Sequence, residues 1–447
     1  MTARKLVLLC MLLVFWIRPA HAQAPLPAGW PGRIEIGMGD APGGAAAMKA
    51  TAPFGFRYQY LSGGVNTGNG WATWNSNGDF PRFYIQDSAA NGIIPVFTYY
   101  TLYQSLPGGG SESDANFTNA NNTATMTAYF NDLKLFFQKA GAFGAGQKVV
   151  LHVEPDLWGY MQQRSTGDNA TTVPAKVAET GLAELAGLPS NVSGVARAIV
   201  RLRDTYAPNV FLGYHISVWG TGNDIVLSNP SDAVVDALAA RAATFYNSLA
   251  ANFDVAFAEF SDRDAGFYQF VYGDGGQHWW DAEDFRRSAR FVGGFSAAAG
   301  KRIVMWQIPL GNTKMRAQNN IWGHYQDNRP EWLLDEPART HLNTYRNAGV
   351  VAFLFGGGAG GTTCACDAIN DGVTNPSAIN GNAIVSQAAA PGSAPVFVGA
   401  TSTLVTPHAA NDDGGYFRWK AWQYYQDGPI SFVPAPAPPS NLRITNP

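Results

Sequence analysis

Cysteine is scarce, with three in 447 residues, and Cys10 falls inside the first apolar run. The other two, Cys364 and Cys366, pair with each other across a tight ring or stay free, and with no nearby His or second Cys pair they do not complete a four-ligand metal site. Charge is also sparse. Lys, Arg, Asp and Glu make up 14% of the chain, the formal net charge is -3, and the basic residues are scattered, so no stripe exists for a phosphate backbone and nucleic acid is excluded as a partner. The 7 histidines show no ligand spacing and no His-Glu-x-x-His. A Gly-x-Ser-x-Gly elbow, a Gly-x-x-x-x-Gly-Lys phosphate loop and a Gly-x-Gly-x-x-Gly turn after the first strand are all missing. Serine hydrolases and nucleotide enzymes lose their usual signatures with them.

What is present is a globular, aromatic-rich chain, 46% hydrophobic and 13% aromatic, with Trp 13 and Tyr 18. That content excludes disorder and permits a large core. Arg4 and Lys5 precede an apolar run from Leu6 to Ile17, followed by Ala20-His21-Ala22, the form of a signal peptide cleaved after Ala22. The run is about a dozen residues, short of the ~20 that span a membrane. A secreted or periplasmic protein is expected, free of the membrane after cleavage. Loss of residues 1–22 removes Arg4, Lys5 and Arg18 and no acid, which takes the net charge from -3 to -6.

Short apolar runs alternate with longer helical stretches. The runs are 33–39, 55–61, 92–99, 148–154, 209–216, 253–260, 302–308 and 350–355, and several are apolar throughout, as strands covered on both faces must be. Helices are expected at 126–140, 193–206, 231–251 and 281–299. Eight strands with intervening helices predict an α/β fold, a (β/α)8 TIM-type barrel with long loop insertions, over 23–432. Gly63–Gly78 and Gly108–Thr125 are expected to be loops over the active face, residues 419–423 a helix or turn closing the barrel, and 433–447 a Pro-rich tail.

In such a barrel the chemistry sits where the strands end. Strand four ends in Glu154-Pro155-Asp156 and strand six in Glu259, followed by Asp262-Arg263-Asp264. Carboxylates crowded in a cleft split their pKa values, so one delivers a proton while another stays charged, the division of labour that glycoside hydrolysis requires. Asp156 is the expected acid, Glu154 its partner or an alternative acid, and Glu259 or Asp262 the base that activates water. Asp40, Tyr99, Tyr103, Trp158, Trp219, Asp264, Trp306 and Gln307 are the expected substrate-binding residues, since sugar rings stack on aromatics and their hydroxyls pair with amides and carboxylates. His215 either bonds a sugar hydroxyl or tunes the acid. No cofactor and no metal are expected; Asp367, Asn370 and Asp371 form an Asx-rich turn rather than an EF-hand.

The stretch Val149-Val150-Leu151-His152-Val153-Glu154-Pro155-Asp156-Leu157 resembles the Glu-Pro-Asp signature of glycoside hydrolase family 6, inverting cellulases on a distorted barrel. The resemblance implies Asp156 as proton donor and an inverting mechanism. Glu154-Pro155 also resembles the Asn-Glu-Pro turn of retaining barrel hydrolases, which implies Glu154 as acid/base. Strand seven, Met305-Trp306-Gln307-Ile308-Pro309, has no carboxylate to serve as their nucleophile, and Glu259 would then replace it. The expected function is a secreted glycoside hydrolase acting on a poly- or oligosaccharide. The alternatives are a non-catalytic carbohydrate-binding barrel and a metal-dependent barrel phosphodiesterase.

Overall fold

A computed structural model describes residues 23–313, 320, 325–358, 383–385, 397–401 and 416–432. The expected signal peptide, Pro-rich tail and Asx-rich turn at Asp367–Asp371, with Cys364 and Cys366, lie outside the described residues. Eight parallel strands close into a barrel in sequence order: β1 Glu35–Gly39, β2 Phe56–Ser62, β3 Ile94–Tyr100, β4 Val149–Val153, β5 Val210–Ile216, β6 Val255–Glu259, β7 Arg302–Pro309 and β8 Val350–Gly356. β8 returns to β1 with Glu35 opposite Ala352 and Gly37 opposite Leu354. The chain is thus a (β/α)8 TIM-type barrel. A separate antiparallel pair joins Ala383–Val385 to Phe397–Thr401.

Helices flank the barrel where the apolar period is helical and a cap starts them. In Thr123–Gly141, Asn122 accepts the Thr125 N–H, and Met126, Tyr129, Phe130, Leu133 and Phe137 bury one stripe. Val192–Tyr206 is capped by Asn191, and Ala282–Ala299 by an Asp281/Asp284 capping box with Gly300 in the left-handed region at its end. The closing helix runs longer than expected, from Tyr416 to Gln426, and its Tyr425 hydroxyl donates to Glu35 at 2.7 Å while accepting the Ile36 N–H at 2.9 Å. It seals the seam beside β1.

The two expected loops carry order of their own. Gly63–Gly78 holds short 3-10 turns at Trp71–Thr73 and Ser76–Gly78, and Gly108–Thr125 contains a helix, Glu112–Ala120. That helix is too polar to reveal a hydrophobic stripe, but Ser111 accepts the Asp114 N–H and the acids Glu112 and Asp114 sit in its first turn.

Side chains inside the barrel follow the strand period of two. Phe56, Tyr58, Val96, Val150, Phe211, Val255, Phe257, Val304 and Trp306 pack into one cluster, distinct from the layer between strands and helices. Trp30 plugs the amino end, its ring 5.2 Å from Phe56 and 5.3 Å from Phe211. Trp30→Ala opens that plug, and urea unfolding should show a loss of about 3–5 kcal/mol, as for large aromatic truncations in a core. An unchanged unfolding midpoint would mean that the barrel closes without it.

Candidate active site

At the carboxyl rim the strand period decides which side chains reach the mouth. In β2, Phe56, Tyr58 and Tyr60 share the inward phase, in β5 Phe211 and His215, in β6 Val255, Phe257 and Glu259, and in β7 Val304 and Trp306. Above them opens a cavity of about 520 Å³, lined by Asp156, Glu259 and Asp262 together with Tyr60, Tyr100, Trp219, Trp280, Trp306 and Gln307. Acids from the ends of β4 and β6 therefore meet in one mouth, with aromatic rings around them.

Asp156 reaches the mouth through an unusual backbone. Glu154 has φ 47° and Asp156 φ 71°, both in the region L-residues avoid, and Gln307 at the end of β7 has φ 51°. Non-glycine residues held there cost of order 1–3 kcal/mol each, and here they gather at the rim of one cavity. Asp156 precedes the helix Leu157–Arg164 without a side-chain capping bond, so its carboxyl is not spent on the helix. Burial, with the charges of Glu112 and Asp262 behind it, pushes Asp156 up to about 7. Oxygens of Asp156 and Glu259 and a ring nitrogen of His215 lie within 4.8 Å of one another. Burial also holds Glu259 well above the usual carboxylate range, and the charges of Asp156 and Asp262 add to that. Asp262 is different: it is ion-paired with Arg263 and accepts the Tyr268 hydroxyl.

Glu154 is corrected: it does not reach the mouth. Its carboxyl turns into the wall, where Thr101 N–H at 3.2 Å, Thr101 hydroxyl at 3.1 Å and Leu102 N–H at 3.1 Å donate to Oε1. It is fully buried, and desolvation raises it to about 8 despite those bonds. Its place is structural, tying the β3 loop to the strained turn.

Five expected binding residues also fall elsewhere. Tyr99 has the outward phase of β3 and bonds Asp132 in the helix layer. Trp158 is sealed behind the barrel, its indole N–H donating to the Val153 carbonyl at 2.9 Å and its ring against Tyr214 and Phe253. Asp264 is buried and accepts the Gly311 N–H at 3.0 Å, pinning the loop after β7. Asp40 lies 3.2 Å from Arg57, away from the cavity. Tyr103 stays outside the lining and leans on Tyr100, with ring centroids 5.9 Å apart.

Three contributors escape a reading by residue type. Tyr60 lines the mouth and its hydroxyl donates to Gln307 at 3.2 Å. Glu112 lines it from the polar helix, accepts the Tyr100 hydroxyl and is raised by burial. His152 lies under the floor, next to His215. The inward phase of β2 and β4 carries the signal for Tyr60 and His152.

Several polar atoms at this end of the barrel are buried without a protein partner: His215 Nε2, Ser217 Oγ and Trp306 Nε1. Of the three, Ser217 and Trp306 belong to residues that line the cavity.

No family model matches the chain, and no curated protein matches it in sequence. Among solved structures it is similar to GH26C from a Muricauda species, at 11% identity over 73% of this chain and 79% of that one, with a TM-score of 0.39. It is similar to the exo-β-1,4-mannosidase Op5Man5 from Opitutaceae bacterium strain TAV5, at 11% identity over 74% of this chain and 53% of that one, TM-score 0.42. A GH6 enzyme from an Orpinomyces species matches at 12% identity over 58% and 60%, TM-score 0.26. At these identities the likeness is one of fold alone.

Proposed function

We propose that the protein is a secreted glycoside hydrolase that cleaves a poly- or oligosaccharide with inversion. The observation that carries this reading is the meeting of Asp156, Glu259 and Asp262, from two separate chain segments, in one aromatic-lined mouth. A cavity of about 520 Å³ suits a small-molecule-sized ligand. Trp219, Trp280 and Trp306 supply aromatic lining suited to sugar C–H groups, and Ser217 and Trp306 bring polar atoms that still need partners.

In this reading Asp156 protonates the glycosidic oxygen as the C1–O bond breaks, and Asp262 takes a proton from the water whose oxygen forms the new bond at C1. Glu259 is too close to Asp156 to be the inverting base, which needs roughly 6.5–9.5 Å between carboxyl groups to admit water. It stays protonated and donates a hydrogen bond within the site. The Glu-Pro-Asp resemblance agrees in giving the donor role to Asp156.

The reading is tested on a panel of polysaccharides assayed for new reducing ends, with binding measured in parallel and with chelator present. Hydrolysis that survives chelator is expected; binding without turnover would favour the carbohydrate-binding barrel, and turnover lost to chelator the metal-dependent enzyme. The pH profile is a further check. Asp156 works only when protonated, so kcat/KM should fall about tenfold per pH unit above about 7. A profile flat to pH 9 would remove Asp156 from the acid role.

A further inference from the structure

Beneath the mouth a column of polar side chains runs down the barrel interior and ends at Thr98. The Thr98 hydroxyl lies 3.4 Å from His152 Nδ1, and His152 Nε2 lies 3.0 Å from His215 Nδ1. All three residues are fully buried. Thr98 and His152 face each other in register on β3 and β4. The rings are held in place: His152 stacks on Phe257 at 4.1 Å and 7°, and Trp306 meets both imidazoles edge-on, 4.7 Å from His152 and 5.8 Å from His215. Gly213 makes room for this stack, since a Cβ there would stand 2.3 Å from the Phe257 ring.

The direction of the column follows from which way the Thr98 hydroxyl points. A buried hydroxyl proton needs an acceptor, and among the described residues His152 Nδ1 is the partner of the Thr98 hydroxyl. If Thr98 donates to His152 Nδ1, that nitrogen carries no proton, and neutral His152 must bear its proton on Nε2 and donate it to His215 Nδ1. Neutral His215 then bears its own proton on Nε2, the atom with no protein partner.

We propose that Thr98 and His152 are positioning residues which lock His215 as a hydrogen-bond donor, buried beneath the mouth with its Nε2–H available to the neighbouring carboxyl oxygens of Asp156 and Glu259. The functional half of this inference rests on the hydrolase reading; the tautomer does not. The direction of the column also decides against a competing chemistry. One nitrogen and two carboxylates within 4.8 Å are the donor set of a divalent cation site, but a cation needs the Nε2 lone pair. The opposite proton order would supply that lone pair.

The test is the tautomeric state of the full chain labelled with ¹⁵N-histidine, read from long-range ¹H–¹⁵N correlations, with His152→Phe and His152→Gln assigning the signals. His215 is expected as the Nε2–H tautomer. Protonation on Nδ1, with saturable Zn²⁺ binding that is lost in His215→Gln, overturns the proposal and makes the site a metal site. In His152→Phe the ring stack remains but the donor is lost. The His215 signal should then become a mixture of tautomers, and kcat/KM should fall about tenfold, the equivalent of one net hydrogen bond. His152→Gln keeps an N–H for His215 Nδ1 and should restore both. A fall in kcat/KM with an unchanged tautomer, or no rescue by Gln in a folded variant, would reduce His152 to packing. The wild-type spectrum decides the tautomer even where a variant fails to fold or no substrate is turned over, so the failure of this proposal and the failure of the hydrolase reading are separately visible.

Discussion

Asp156→Asn is expected to lower kcat/KM on a natural saccharide by about 10²–10⁴, the usual range for removing a general acid, while the melting temperature stays within a few degrees of wild type. The amide has the shape of the carboxyl and no proton to give. Because Asp156 makes no capping bond to the helix it precedes, the substitution removes none of that helix's support. At pH 6 and below, the carboxyl pushed up to about 7 is largely protonated, so an uncharged amide replaces an uncharged acid and the burial cost hardly changes. The leaving group supplies an internal control. An aryl glycoside whose phenolate departs without protonation should lose far less than the saccharide, and the high-pH fall in kcat/KM should disappear with the carboxyl. Equal losses on both substrates would mean that Asp156 acts by positioning rather than by proton transfer. Unchanged turnover would end its catalytic assignment altogether.

The barrel was legible because its strands are apolar runs bounded by turn residues, and each of the eight falls within a residue or two of its expected place apart from trimmed ends. The mouth was only half legible. Residue type singled out Asp156, Glu259, Asp262, Trp219, Trp306 and Gln307, all of which line the cavity. Residue type alone could not separate Tyr99 from Tyr100: adjacent in β3, they point to opposite faces, one to Asp132 in the helix layer and one to Glu112 in the mouth. Counting phase from Val96 would have done so, since Val96 packs inside the barrel. Glu154 defeats even that count. Val150, His152 and Glu154 share a phase, but the strand ends at Val153 and the positive φ at Glu154 turns its carboxyl toward Thr101. No composition or spacing rule announces a strained backbone in a non-glycine residue, and that strain is what exchanges Glu154 for Asp156 at the rim. Glu112 was missed for a different reason: its helix has too few apolar residues to show a stripe, and only the Ser111 cap betrays it.

Asp262→Ala should be nearly as damaging as loss of the acid, about 10²–10⁴ in kcat/KM, and its rescue decides the stereochemical course. Asp262 is about one-third exposed and its bonds are to Arg263 and the Tyr268 hydroxyl, both at the rim, so truncation should cost little stability. Arg263 keeps other contacts, over the Phe267 ring at 5.8 Å and the Tyr272 ring at 5.7 Å. Removing the carboxylate leaves a hole beside the anomeric carbon that azide can enter, and azide needs no base. In an inverting reaction azide attacks where water would have, so Asp262→Ala should regain turnover with azide and release a glycosyl azide of inverted configuration. Glu259→Ala should gain nothing from it. The competing arrangement makes the opposite forecast. The short approach of Glu259 to Asp156 is near the ~5–5.5 Å of a retaining pair, in which Glu259 would attack C1 itself. Azide would then rescue Glu259→Ala, Asp262→Ala would keep most of its activity with no response to azide, and the first-formed sugar in the wild-type reaction would keep its anomeric configuration. Burial argues for the inverting outcome: a Glu259 held protonated is a poor nucleophile, while Asp262, paired with a guanidinium, is the carboxylate able to accept the proton of water.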